Sequence, residues 1–284
     1  MYRKTIIIVL AALIALGQVK AQTTDTTSAK SHFELKISRH GITYKSKDGN
    51  EETGDSIVRK DKPMTSEIIF DLGINCIADR TNYNDANVKS YLNVPANRQN
   101  ANLFKLNQNK SVNVNLYPFL ESFRLKKTGS QKVFLTTGLG FQFYNFRYEN
   151  NITYTRNPST VILDSLNFTK NKVAMDYLNV PLMLTFKSKI YENTENEQKS
   201  RWLVYGVGIT GGYGIAIWTK QKSGQDGKVK THDDFSFNNF NSCLTFELGI
   251  EDFIRFYGSY QINSLYNNGI QQYPWTIGFR ILGI

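Results

Sequence analysis

The feature that most constrains this chain is strict two-residue alternation, repeated along most of its length. In Tyr177-Leu-Asn-Val-Pro-Leu-Met-Leu-Thr-Phe-Lys187, one set of alternate positions is Leu178, Val180, Leu182, Leu184 and Phe186. The other set is Tyr177, Asn179, Pro181, Met183 and Thr185. Successive side chains of a strand point to opposite faces, so this is strand periodicity. Pro181 argues against a helix interior, because it lacks an N–H and clashes with the preceding turn. The apolar face must then meet either a protein core or lipid.

Eight such segments follow one another at about 66–77, 111–124, 132–148, 173–188, 201–219, 237–250, 253–263 and 273–283. In each, one face carries residues such as Ile68, Phe70, Leu72 and Ile74, or Leu244, Phe246, Leu248 and Ile250. In the second segment the apolar set reads Val112, Val114, Leu116 and Leu120, and in the fifth it runs from Leu203 to Ile215 and Ile217. The opposite faces are rich in Gly, Ser, Thr, Asn and charge. At about 11–19 residues, the segments exceed the usual soluble strand of about five or six and suit the ~9–11 needed to cross hydrocarbon. Long connections (78–110, 149–172, 220–236) alternate with shorter ones (125–131, 189–200, 251–252), the arrangement of an outer-membrane barrel. The expectation is an all-β, eight-stranded antiparallel up-and-down transmembrane β-barrel. An even strand number puts both ends of the barrel domain at the side of the short turns. Tyr144, Tyr148, Tyr177, Trp202, Tyr213, Trp218, Tyr257, Tyr266, Tyr273 and Trp275 cluster near segment ends, as interfacial aromatic belts require.

The amino terminus fits the same picture. Arg3 and Lys4 precede an apolar run from Ile6 to Leu16, and Val19-Lys20-Ala21 resembles a cleavage site. This is the pattern of a signal peptide, too short to span a bilayer as a helix. The expected organisation is a signal peptide over 1–21, a flexible periplasmic extension over 22–65 and an outer-membrane barrel domain over 66–284. Removing the signal takes three of the 34 basic residues and no acid, which leaves 31 against 24, a net charge of +7. On an exported chain such charge points to lipid phosphates or anionic sugars rather than nucleic acid. A mean hydropathy of −0.38 does not oppose a barrel, whose alternating strands average out. Cys76 and Cys243 fall on opposite faces by this parity and are expected as separate thiols rather than a disulfide.

Several pieces resemble the PorT-like outer-membrane β-barrel family: Tyr177-Leu-Asn-Val-Pro-Leu-Met-Leu, Thr137-Gly-Leu-Gly, Tyr205-Gly-Val-Gly, Tyr260, and Gly278-Phe-Arg. They run in the family's order over 66–284. The resemblance implies a small outer-membrane barrel of Gram-negative bacteria, in a family whose named member is linked to protein secretion. The chain departs from the common barrel pattern in ending on Ile284 rather than Phe or Tyr.

Chemistry-bearing motifs are sparse. His32 and His40 fall in the extension and His232 in a Gly- and Lys-rich loop, so no base sits on a strand for a Ser–His hydrolase. No HExxH, CxxC or phosphate loop occurs. Gly206-Val-Gly-Ile-Thr-Gly-Gly lacks the Lys and the following helix that a phosphate cradle needs. No catalytic residue, cofactor or metal is therefore expected. The strand parity does direct Asp71, Glu121, Glu247, Arg255 and Arg280 inward, from strands that become contiguous once a barrel closes. Eight strands leave just enough bore for side chains to fill, so these residues are expected to form an ion-pair and hydrogen-bond network plugging the lumen. The expected role is non-enzymatic, structural or accessory to secretion or surface binding. The expected partners are outer-membrane lipid and a secretion or surface partner at the long loops, with the chain monomeric. A narrow porin and a lipid-modifying barrel enzyme are the alternatives.

Overall fold

The computed structural model describes residues 34–38, 41–45, 64–191 and 201–282. The signal peptide expected over 1–21 and most of the extension expected over 22–65 lie outside the described residues. Within that stretch, β1 (Glu34–Ser38) and β2 (Gly41–Lys45) form a two-stranded sheet of their own.

The rest is built on eight long strands: β3 (Met64–Asp79), β5 (Val112–Lys127), β6 (Gln131–Arg147), β9 (Phe168–Tyr191), β10 (Arg201–Ser223), β12 (Phe240–Ile250), β13 (Arg255–Gln261) and β14 (Gln272–Leu282). Each pairs antiparallel with the next. β14 returns to pair with β3, from Gln272↔Asp79 to Leu282↔Ile69, which closes the ring. A sheet closed on itself is a barrel. All eight segments with two-residue alternation become its wall.

Among the described residues there are more than eight strands. β4 (Leu92–Asn93), β7 (Ile152–Tyr154) and β8 (Val161–Leu163) form a three-stranded sheet in the long connections, and β11 (Lys228–His232) folds back on the upper part of β10. With helix α1 (Ala86–Tyr91), capped by the Asp85 carboxylate on the Asn87 and Val88 amides, these pieces turn the long connections into folded structure rather than solvated loops.

The alternation gives the direction of most side chains. On β9, Tyr177, Asn179, Pro181, Met183 and Thr185 are buried inside the ring, while Val180, Leu182 and Leu184 are exposed outside. On β12, Asn241, Cys243 and Glu247 point in, and Leu244, Phe246 and Leu248 point out. Cys76 and Cys243 are free thiols.

Of several register irregularities, two turn side chains against the expected direction. Between Leu116 and Phe119 the β5–β6 register shifts, at Pro118, which has no N–H for the ladder. Beyond it, Leu120 turns inward and is buried, whereas Phe119 is 65% exposed outside. Between Gly214 and Ala216 a second shift turns Ile217 inward, although simple alternation puts it outside.

Fewer of the aromatic residues near strand ends than expected stand on the outer face. Tyr144, Tyr148, Tyr177, Trp202, Tyr257 and Tyr266 are buried, leaving Tyr213, Trp218, Tyr273 and Trp275 on the outer face. Aromatic residues near strand ends have two destinations here, the outer face of the ring and the interior of the long-connection end, and spacing does not separate them.

Candidate functional site

The inner wall is filled by a buried polar network. Arg280, near the end of β14, forms a two-pronged pair with Asp71 of β3: Nε to Oδ1 at 2.8 Å and Nη2 to Oδ2 at 3.0 Å. Its Nη1 donates to Glu247 Oε2 on β12 at 3.0 Å. Arg255, which opens β13, donates from Nη1 to the same oxygen at 3.3 Å. Two carboxylates and two guanidiniums thus balance one another, all nearly enclosed. Such enclosure is tolerated only when the charges are paired and their remaining valences hydrogen-bonded. Asn115 supplies a donor to Asp71, and Thr185 one to Glu247.

Four of the five residues that parity directs inward therefore meet. Glu121 does not join them. The register shift at Pro118 turns it outward, where its Oε1 accepts from Ser66 Oγ at 2.7 Å. The proline in the strand was the available signal, since a residue that cannot donate to the ladder marks a bulge.

Toward the long-connection end, charges give way to amides and hydroxyls. Gln142 Oε1 accepts from both Asn179 and Asn241. Tyr257 donates to Asn113 Oδ1 at 2.8 Å, and Thr276 to Asn75 Oδ1 at 3.0 Å. Sequence reading missed Tyr257 as an inward partner, because a tyrosine near a strand end also fits a membrane interface. Glycines make room for these side chains: a Cβ on Gly140 would run into the Tyr117 ring.

Above the amides the lumen is closed by an aromatic cap. Tyr144, Phe146, Met175 and Tyr177 of the wall pack with Val88, Leu103, Phe104, Phe235, Phe237 and Leu265 of the long connections in one apolar cluster. Tyr154 Oη bonds to Tyr148 Oη at 2.9 Å and to Tyr266 Oη at 2.8 Å. Burial raises the hydroxyl pKa of Tyr148 to about 12, and burial likewise raises those of Tyr91, Tyr154 and Tyr266.

At the short-turn end a cavity of about 20 Å³ lies against Arg255, Arg280, Glu247, Met183 and Tyr117. That is room for roughly one water. His232 is exposed outside, its ring 6.4 Å from that of Trp218. Among the described residues no group of three or more His, Cys, Asp or Glu is placed to hold a metal ion.

No family model matches the chain, and no curated protein matches it. Among solved structures it is similar to Ail, the attachment invasion locus protein of Yersinia pestis, at 12% identity and a TM-score of 0.27. The match covers 78% of this chain and 99% of that one.

Proposed function

We propose that the chain is an outer-membrane β-barrel protein whose ring spans the bilayer, non-enzymatic, and structural or accessory to secretion or surface binding. The observation that carries this is the inversion of polarity across the wall. Outside, Leu72, Phe119, Leu182, Val207, Phe246 and Phe279 stand exposed on six different strands. Inside, the wall carries ion pairs and amides. A soluble monomer rarely exposes a contiguous apolar patch beyond a few hundred Å². A ring in hydrocarbon needs such a band, and closure leaves no strand edge with unpaired backbone groups.

The long connections then lie at the cell surface and the short turns in the periplasm, following the rule for such barrels. The filled lumen and the cap favour a closed barrel over a narrow porin. The PorT-like strand pattern supports the secretion-accessory role, and the folded cap supplies a shaped surface on which a partner could dock.

Two measurements test the reading. Expressed with its leader in a Gram-negative host, the protein should fractionate with the outer membrane and migrate faster in gels before boiling than after. A monomer that folds in detergent-free buffer and ignores bilayers sinks the membrane reading. Purification from cells in mild detergent then addresses the role, since a stable partner complex supports the accessory function and a solitary barrel argues against it.

A further inference from the structure

The outer face of the wall changes character where β9 and β10 rise above the apolar band and β11 joins them. Register places Arg147 of β6 opposite Lys172 of β9, Lys172 opposite Lys220 of β10, and Lys220 opposite Lys230 of β11. This is a row of four cations across four adjacent strands. A second row, two residues higher, sets Lys170 opposite Lys222 and Lys222 opposite Lys228. Strand spacing makes the patch roughly 14 Å wide and about 7 Å tall. In the row beneath, Trp218 carries the Lys172 ammonium 4.3 Å and the Lys230 ammonium 4.1 Å from its ring centroid.

Like charges directly opposite one another destabilise a sheet. The fold relieves them only in part: Arg147 donates to the Thr169 carbonyl, Lys172 donates to Asn145 Oδ1, and Asp176 attracts Lys172 and Lys230 from below. Among the described residues no carboxylate pairs with Lys170, Lys172, Lys220, Lys222, Lys228 or Lys230, and the carboxylate nearest in register, Asp176, sits below Trp218. The inward neighbours of the same strands are by contrast satisfied: Asn171 and Gln221 both bond to the Ile152 carbonyl. The crowding is therefore confined to the outward face. The position is specific too. The last outward apolar residue of β10 before the patch is Ile215, so the cations begin just above the band, with an indole at the boundary where tryptophan marks a membrane interface.

From this we infer that the Arg147–Lys230 patch binds the phosphate groups of lipid headgroups in the leaflet around the long-connection end. The inference rests on the membrane reading above. A leaflet bearing phosphates at that height supplies the anions the two rows lack, and each cation near an anionic surface contributes about fivefold in affinity.

The test uses the full chain folded in nonionic micelles, titrated with a bis-phosphorylated glycolipid or its dephosphorylated form. Apparent affinity is read from the rise in unfolding midpoint. The phosphorylated lipid should stabilise the protein and the dephosphorylated one should not. Lys172→Gln/Lys220→Gln/Lys230→Gln should lose on the order of 100-fold in affinity. Lys172→Arg/Lys220→Arg/Lys230→Arg should retain it, as should Lys89→Gln/Lys110→Gln/Lys126→Gln, which removes equal charge elsewhere. Equal loss in both glutamine variants, or equal stabilisation by the dephosphorylated lipid, overturns the assignment. Tighter, patch-dependent binding of a soluble sulfated polysaccharide overturns it in favour of a glycan. If the unmodified chain yields no heat-modifiable folded form in micelles, the membrane reading falls first, and the lipid assignment with it.

Discussion

Arg280 is the residue on which the lumen network turns, because it alone contacts both acids. Replacing it by Met leaves Asp71 and Glu247 enclosed with only Arg255 between them. Breaking a buried pair from one side costs about 3–5 kcal/mol, so Arg280→Met should lower the unfolding midpoint of the refolded barrel sharply. An unchanged midpoint would refute the network. Glu121→Gln provides the contrast: turned outward at the Pro118 irregularity, it should stay within about 0.5 kcal/mol of the parent in the same melt. The difference between these two acids and their neighbours is not visible in their spacing. Asp71, Glu247, Arg255 and Arg280 were legible because no irregularity intervenes between each and the apolar run that sets its parity. Glu121 was misread because one residue of slippage reverses every later side chain on the strand.

At the level of elements, the wall strands depend on how large inner side chains fit beside small ones. Gly140 on β6 faces the Tyr117 ring of β5, and Gly140→Ala should cost about 1–3 kcal/mol through overpacking, measurable by thermal unfolding. The cap is a second kind of element, assembled from pieces distant in sequence. Its tyrosines are buried as neutral hydroxyls, with that of Tyr148 pushed up to about 12. A tyrosine whose pKa is raised on folding stabilises the folded state fully below the ordinary value near 10, and that contribution fades as pH rises toward the folded value. Near-ultraviolet dichroism of the cap should therefore hold steady up to pH ~10 and decay above it, before the far-ultraviolet strand signal. Simultaneous loss of both signals would show that the cap is not a separate unit. The cap itself was not readable from sequence. Its aromatic residues lie in stretches rich in Asn and Lys, the composition of solvated loops, and only long-range contacts gather them.

For the molecule as a whole, the filled bore and capped mouth imply a barrel that does not conduct. Purified protein in a planar bilayer should give no stable current steps, and steady steps abolished by filling residues near Arg255 would restore the porin alternative. The sequence by itself determined the number of wall strands, their order and most inward and outward assignments. It could do so because the two-residue period is a property of the extended backbone and needs no partner to be expressed. Tertiary structure alone decided where that period slips, which aromatic residues enter the cap instead of the outer face, and which cations meet across β6, β9, β10 and β11. Those outcomes depend on register between strands far apart in the chain, and register is fixed by packing and closure of the ring, which no single segment encodes.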